Sequence, residues 1–172
     1  MPRKGRLEWS SSSSKTLYGL TLIELMVVLV ILSILAVGSL PFAEMTVRRG
    51  KEAELRYALR EIRSAIDRLH NDWKKQVVSH TSGDLSKDGY PITIDVLVNG
   101  VPKGDGSGER RRYLRSIPSD PFSNPSTPST EQWLVRGYQD SPDAEYWDAE
   151  DVYDIRSKSE QNAINGSKYQ DW

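Results

Sequence analysis

From Leu20 to Ala43 the chain reads LTLIELMVVLVILSILAVGSLPFA, and Glu24 is the only ionisable side chain in that run. This stretch constrains the rest of the molecule. A bilayer core about 30 Å thick takes roughly 20 apolar residues as a helix, whereas a helix buried in a small domain is usually shorter. Arg3, Lys4, Arg6 and Lys15 precede it against a single acid, Glu8. The positive-inside bias therefore places the amino terminus in the cytoplasm and everything after Ala43 on the far side. The intervening serine tract, Ser10 to Ser14, has no means of building a core. Because the mean hydropathy of the whole chain is -0.57, the remainder must be correspondingly polar.

A secretory signal peptide is the plainest account, with basic residues, an apolar stretch, and small residues at Ala36 and Gly38 for cleavage. It predicts a soluble product starting near Ser39. Glu24 opposes this reading, because an ionisable group inside an apolar segment is costly and normally marks a function.

The ten residues Gly19-Leu20-Thr21-Leu22-Ile23-Glu24-Leu25-Met26-Val27-Val28 resemble the prepilin-peptidase site of type IV pilins and type II secretion pseudopilins. Leu20 stands where that family usually has phenylalanine, and 18 residues precede Gly19. The resemblance implies cleavage between Gly19 and Leu20 on the cytoplasmic face and N-methylation of Leu20. It also implies assembly roles for Glu24, at the fifth mature position, and for Pro41, where the family carries a proline. The partners implied are prepilin peptidase, an inner-membrane secretion or pilus assembly machinery, and further copies of the chain in a homo-oligomeric filament. The location implied is the bacterial inner membrane, crossed once, with the carboxy-terminal domain in the periplasm.

Cleavage would leave an α-amine, of reference pKa about 7.7 to 8, four positions from the Glu24 carboxylate in an apolar medium. Each charge then needs a partner. Glu24 pairs either with the amine of a neighbouring copy, which rewards correct axial register, or with its own. Thr21 and Ser33 are expected to satisfy local backbone carbonyls.

Gly38, Ser39 and Pro41 mark where a helix would kink or stop. Beyond them Leu55, Leu59, Ile62, Ile66, Leu69 and Trp73 follow a 4, 3, 4, 3, 4 spacing, which forms one apolar stripe on an amphipathic helix. A helix from Leu20 to about Val78 would be roughly 88 Å long at about 1.5 Å per residue. A domain of about 90 residues has a radius of gyration near 12 Å, so it covers only part of such a rod. The organisation expected is a leader at 1–19, a transmembrane and assembly helix at 20–43, an amphipathic helix at 44–79 and a carboxy-terminal domain at 80–172.

In that last domain Ile92, Ile94, Val96 and Val98 alternate as a strand would, although pseudopilins carry a short helix or loop after the corresponding Tyr-Pro, here Tyr90-Pro91. Strands are expected at Trp133 to Tyr138 and Val152 to Arg156, and Trp172 is expected to dock on the sheet or helix. Tyr113 to Phe122, with its Pro118-Ser119-Asp120-Pro121 turn, resembles a segment of major pseudopilins. Strands this few and short need the helix stripe to bury against. The fold class is α+β.

Little here points to catalysis, and the chain is not expected to be an enzyme. The 23 basic and 24 acidic side chains nearly cancel, which names no nucleic-acid partner, and the absence of cysteine excludes disulfides and thiolate chemistry. His70 and His80 fall in no catalytic spacing. Gly104, Gly106 and Gly108 form a surface turn rather than a phosphate loop, and Asn165-Gly166-Ser167 reads as a turn more cheaply than as a glycosylation site. Asp140, Asp143, Glu145, Asp148, Glu150, Asp151 and Asp154 form an acidic stretch, read as a solvated loop. Arg110, Arg111, Arg112 and Arg115 form an opposite patch that could meet it across subunits. Major pseudopilins bind calcium after the last strand; Asp154, Ser157 and Ser159 match the start of that loop, but Gln161-Asn162 replaces its Asp-Gly, so calcium is disfavoured and no cofactor is expected. The rival readings are a type IV pilus subunit, a membrane-anchored binding protein that never polymerises, and an exported enzyme using the acidic loop.

Overall fold

A threonine followed three residues later by a glutamate starts the first helix. Thr21 Oγ1 accepts a hydrogen bond from the Glu24 amide at 3.2 Å, and the Leu25 amide donates to the Thr21 carbonyl at 3.1 Å. This is an N-cap arrangement, with an acid in the first turn where the helix dipole favours it. The threonine hydroxyl thus accepts from an amide, where donation to a carbonyl was expected. Ser33 does bond a carbonyl, donating to Leu29 at 2.7 Å.

The computed structural model describes residues 19–141 and 150–172, with the side chains of residues 38–43 outside the description. Helix α1 runs Leu22–Lys74. The chain divides into two compact units, Met1–Ala43 and Glu44–Trp172.

In the first unit the apolar side chains from Leu20 to Val37 all lie exposed. Among the described residues no helix is long and apolar enough to cross a membrane. The span expected at 20–43 includes residues 38–43, so Pro41 and its neighbours fall outside the described side chains.

In the second unit, Leu55, Leu59, Ile62, Ile66 and Leu69 of α1 are buried, with Ala58 and Ala65 filling the spaces between them. Trp73, the last residue of the stripe, is half-buried against this core. The helix ends where Gln76 takes a positive φ of 59°. There the Val77 amide bonds the Asp72 carbonyl and the Gln76 amide bonds the Trp73 carbonyl, both at 2.9 Å. Those two bonds satisfy carbonyls that the last turn leaves open.

Helix α2, Val96–Asn99, replaces the strand that alternation suggested. Within the helix Val96 and Leu97 are buried side by side, which breaks the alternation a strand would keep, while Ile92 ahead of it is exposed. Gly100 stops it at φ 81°, and a Cβ there would stand 2.7 Å from the Arg111 carbonyl oxygen. Strands β1 (Val101–Pro102) and β2 (Arg110–Arg111) form one short antiparallel pair. Strands β3 (Trp133–Arg136) and β4 (Asp154–Ser157) form the other, with Trp133 opposite Ser157 and Arg136 opposite Asp154. Trp133, Ile155, Val152 and Tyr169 meet the α1 stripe in one core. The fold is α+β, a long amino-terminal helix whose second part packs on two small antiparallel sheets.

Candidate functional site

Two regions could carry function, and they differ in kind. At the start of the chain, Gly19 and Leu20 are exposed and lie immediately ahead of the Thr21 cap. A peptide bond just outside a capped helix is open to a protease, whereas one inside the helix would have to be unwound first. Glu24 is exposed on the first turn of α1, among exposed leucines, isoleucines and valines.

The second region is a polar clamp between α1 and the end of the chain. Glu52 is buried, and its Oε1 accepts from the Ile164 amide at 2.7 Å and from the Tyr169 hydroxyl at 3.0 Å. Arg48 donates to the same tyrosine oxygen at 3.3 Å and to the Asn162 carbonyl. Burial is the main cause of a raised Tyr169 pKa, so the phenol stays protonated and keeps its donor. Three turns beyond Glu52, Arg63 donates to Asp154 Oδ1 at 2.7 Å, to the Ile155 carbonyl at 2.8 Å and to the Trp172 carbonyl at 2.7 Å. Trp172 docks as expected, its indole N–H donating to Ser167 at 2.8 Å and its ring lying under the Arg56 guanidinium at 4.2 Å.

The cation of Arg63 bears on the calcium expectation. Asp154 also faces Arg136 at 3.6 Å, and Ser157 donates to buried Asp120 at 2.5 Å. The oxygens at the start of that loop are thus taken by groups of this chain. Among the described residues no cluster of three or more acidic, histidine or cysteine side chains is placed to hold a metal ion.

Other candidates resolve into structural contacts. Asp151 is buried and accepts from the Ser86 hydroxyl at 2.7 Å and the Tyr138 amide at 2.8 Å, and Asp140 accepts from the Gly137 amide at 2.7 Å. Asp143, Glu145 and Asp148 lie outside the described residues. Half of the expected basic patch is also committed within the chain, which corrects the view of four arginines facing a neighbour. Arg110 pairs with Asp84 at 2.7 Å and Arg111 with Asp72 at 2.6 Å. Both histidines sit in a column of stacked rings. His70 lies 4.2 Å from Tyr90 and 5.8 Å from Trp73, and Trp73 lies 4.6 Å from His80. Burial is the largest influence on His70 and lowers its pKa, while Tyr90 is pushed up to about 12, again mainly by burial.

A model of the prokaryotic N-terminal methylation motif matches residues 18–40. This segment, holding Gly19, Leu20 and Glu24, is a type IV pilin-like signal, the kind processed by prepilin peptidase. No curated protein and no solved structure matches the chain.

Proposed function

We propose that this chain is a structural, non-catalytic subunit of a type II secretion pseudopilus. In this reading prepilin peptidase cleaves after Gly19, Leu20 is N-methylated, and the mature chain waits in the bacterial inner membrane with residues 44–172 in the periplasm. Assembly then withdraws the apolar helix from lipid into a bundle of its own kind, and Glu24 meets the amine of a neighbour. The observation that carries the reading is the position of the methylation motif. It covers the exposed apolar start of the same helix whose later turns supply the core of the carboxy-terminal domain.

That arrangement suits polymerisation. A helix apolar on every face has to be covered by lipid or by other helices, and identical copies offer identical cover. The lack of cysteine and the Pro118 to Pro121 turn favour a pseudopilus over an adhesive pilus, whose subunits often close a carboxy-terminal loop with a disulfide. Removing the gene from its native host tests the choice. Exported proteins held back in the periplasm, with surface fibres intact, are the expected result; lost surface fibres with normal export would instead make the chain a pilus subunit.

A further inference from the structure

Arg112 and Arg115 are the two arginines of the basic patch that the fold leaves without a partner among the described residues. Both are exposed, and both line one cleft of about 470 Å³ whose other walls include Val98, Asn99 and Leu114. Leu97 holds the cleft's far edge in place, its carbonyl accepting the Tyr113 and Leu114 amides at 2.9 and 3.0 Å. The cleft therefore sets two cations that no described residue engages beside a mixed lining, to which Val98, Tyr113 and Leu114 contribute the carbon surface. The other arginine-lined groove, at Arg56, Arg60 and Arg63, lacks this property. There Arg63 donates to three oxygens of its own chain and Arg56 is held over Trp172.

We propose that this cleft receives the acidic segment 142–150 of a second copy of the chain. That segment reads PDAEYWDAE, so it carries four carboxylates and the paired aromatics Tyr146 and Trp147. Carboxylates match guanidinium groups, and aromatic rings stack on a cation. Flanking Asp140, Asp151 and Asp154 are engaged within their own chain, while Glu150 is exposed. A cleft and a segment at different places on one chain make a head-to-tail contact, and contacts of this type that do not close into rings generate helical filaments. The inference rests on the reading of the chain as a self-assembling subunit and supplies that assembly with a contact outside the apolar helix.

Because the chain has no cysteine, introduced thiols are unambiguous. Two differently tagged full-length copies, one Asn99→Cys and one Asp148→Cys, are expressed together with prepilin peptidase and the assembly machinery, and the membranes are oxidised. The expected result is a mixed disulfide dimer several-fold above a control pair of Lys158→Cys with Asp148→Cys. It should be lost when Arg112→Glu and Arg115→Glu are added to the first copy. No dimer above the control, or a dimer untouched by those reversals, would overturn the proposal whether or not filaments sediment. A mixed dimer without sedimenting filaments would support the docking and count against the pseudopilus.

Discussion

The hydroxyl of Tyr169 donates to the carboxylate of Glu52 at 3.0 Å across 117 positions of sequence, joining the middle of α1 to the last turn of the chain. Both groups are buried, and the Ile164 amide shares the same carboxylate oxygen. Replacing Glu52 by Ala leaves a buried hydroxyl and a backbone amide without an acceptor. The expected cost is about 1 to 3 kcal/mol, read as a lower urea midpoint for the detergent-solubilised protein. Tyr169→Phe removes the donor and leaves the carboxylate the Ile164 amide, so its effect should be smaller. Equal losses in the two variants would mean that the clamp does not work as described.

Gly89 lies against the Trp73 ring near the end of α1. It takes a φ of 82°, and a Cβ there would stand 2.3 Å from the Trp73 ring. Gly89→Ala should displace that ring, change tryptophan fluorescence, and destabilise by about 1 to 3 kcal/mol through overpacking. In a Trp73→Ala background the same change should cost less, since the atoms it strikes are gone. An undiminished cost there would put the strain in the backbone alone.

Stability should fall with acid through His70. Burial between Tyr90 and Trp73 holds its imidazole below the ordinary value of 6.5, Lys74 acts in the same direction, and the Gly89 carbonyl, Asp67 and Asp88 oppose it. The folded chain thus binds the proton less readily than the unfolded one. Where the unfolded state holds more protons, stability rises with pH, so it is lost as pH falls through about 6.5 toward the lower folded value. His70→Gln should flatten the melting temperature across that window, and an unchanged slope would assign the pH response to another group.

Much of this was legible because α1 is periodic. The 4, 3, 4, 3, 4 spacing from Leu55 to Trp73 matches the buried face, and read backward the same rhythm reaches Glu52 and Arg48. A charged residue on an apolar stripe is a signal that a partner awaits it. The partner itself was not legible, since Tyr169 and Ile164 lie more than a hundred residues away and no local pattern connects them to α1. Residues 92–98 misled for a different reason. Their alternating β-branched side chains imitate a strand, but Leu97 is buried beside Val96 and so breaks the alternation, and Gly100 turns the chain after barely one turn of helix. The acidic stretch appeared uniform by composition, yet Asp151 and Asp154 are set apart by Ser86 and Arg63 from distant segments.

Everything proposed about assembly depends on what happens between Gly19 and Leu20. The decisive measurement is intact mass with amino-terminal sequencing of the mature protein from its native host. The account predicts a chain that begins at N-methylated Leu20 and keeps Glu24 four residues from its new amine. A chain that retains Met1, or one that begins near Ser39, would contradict it.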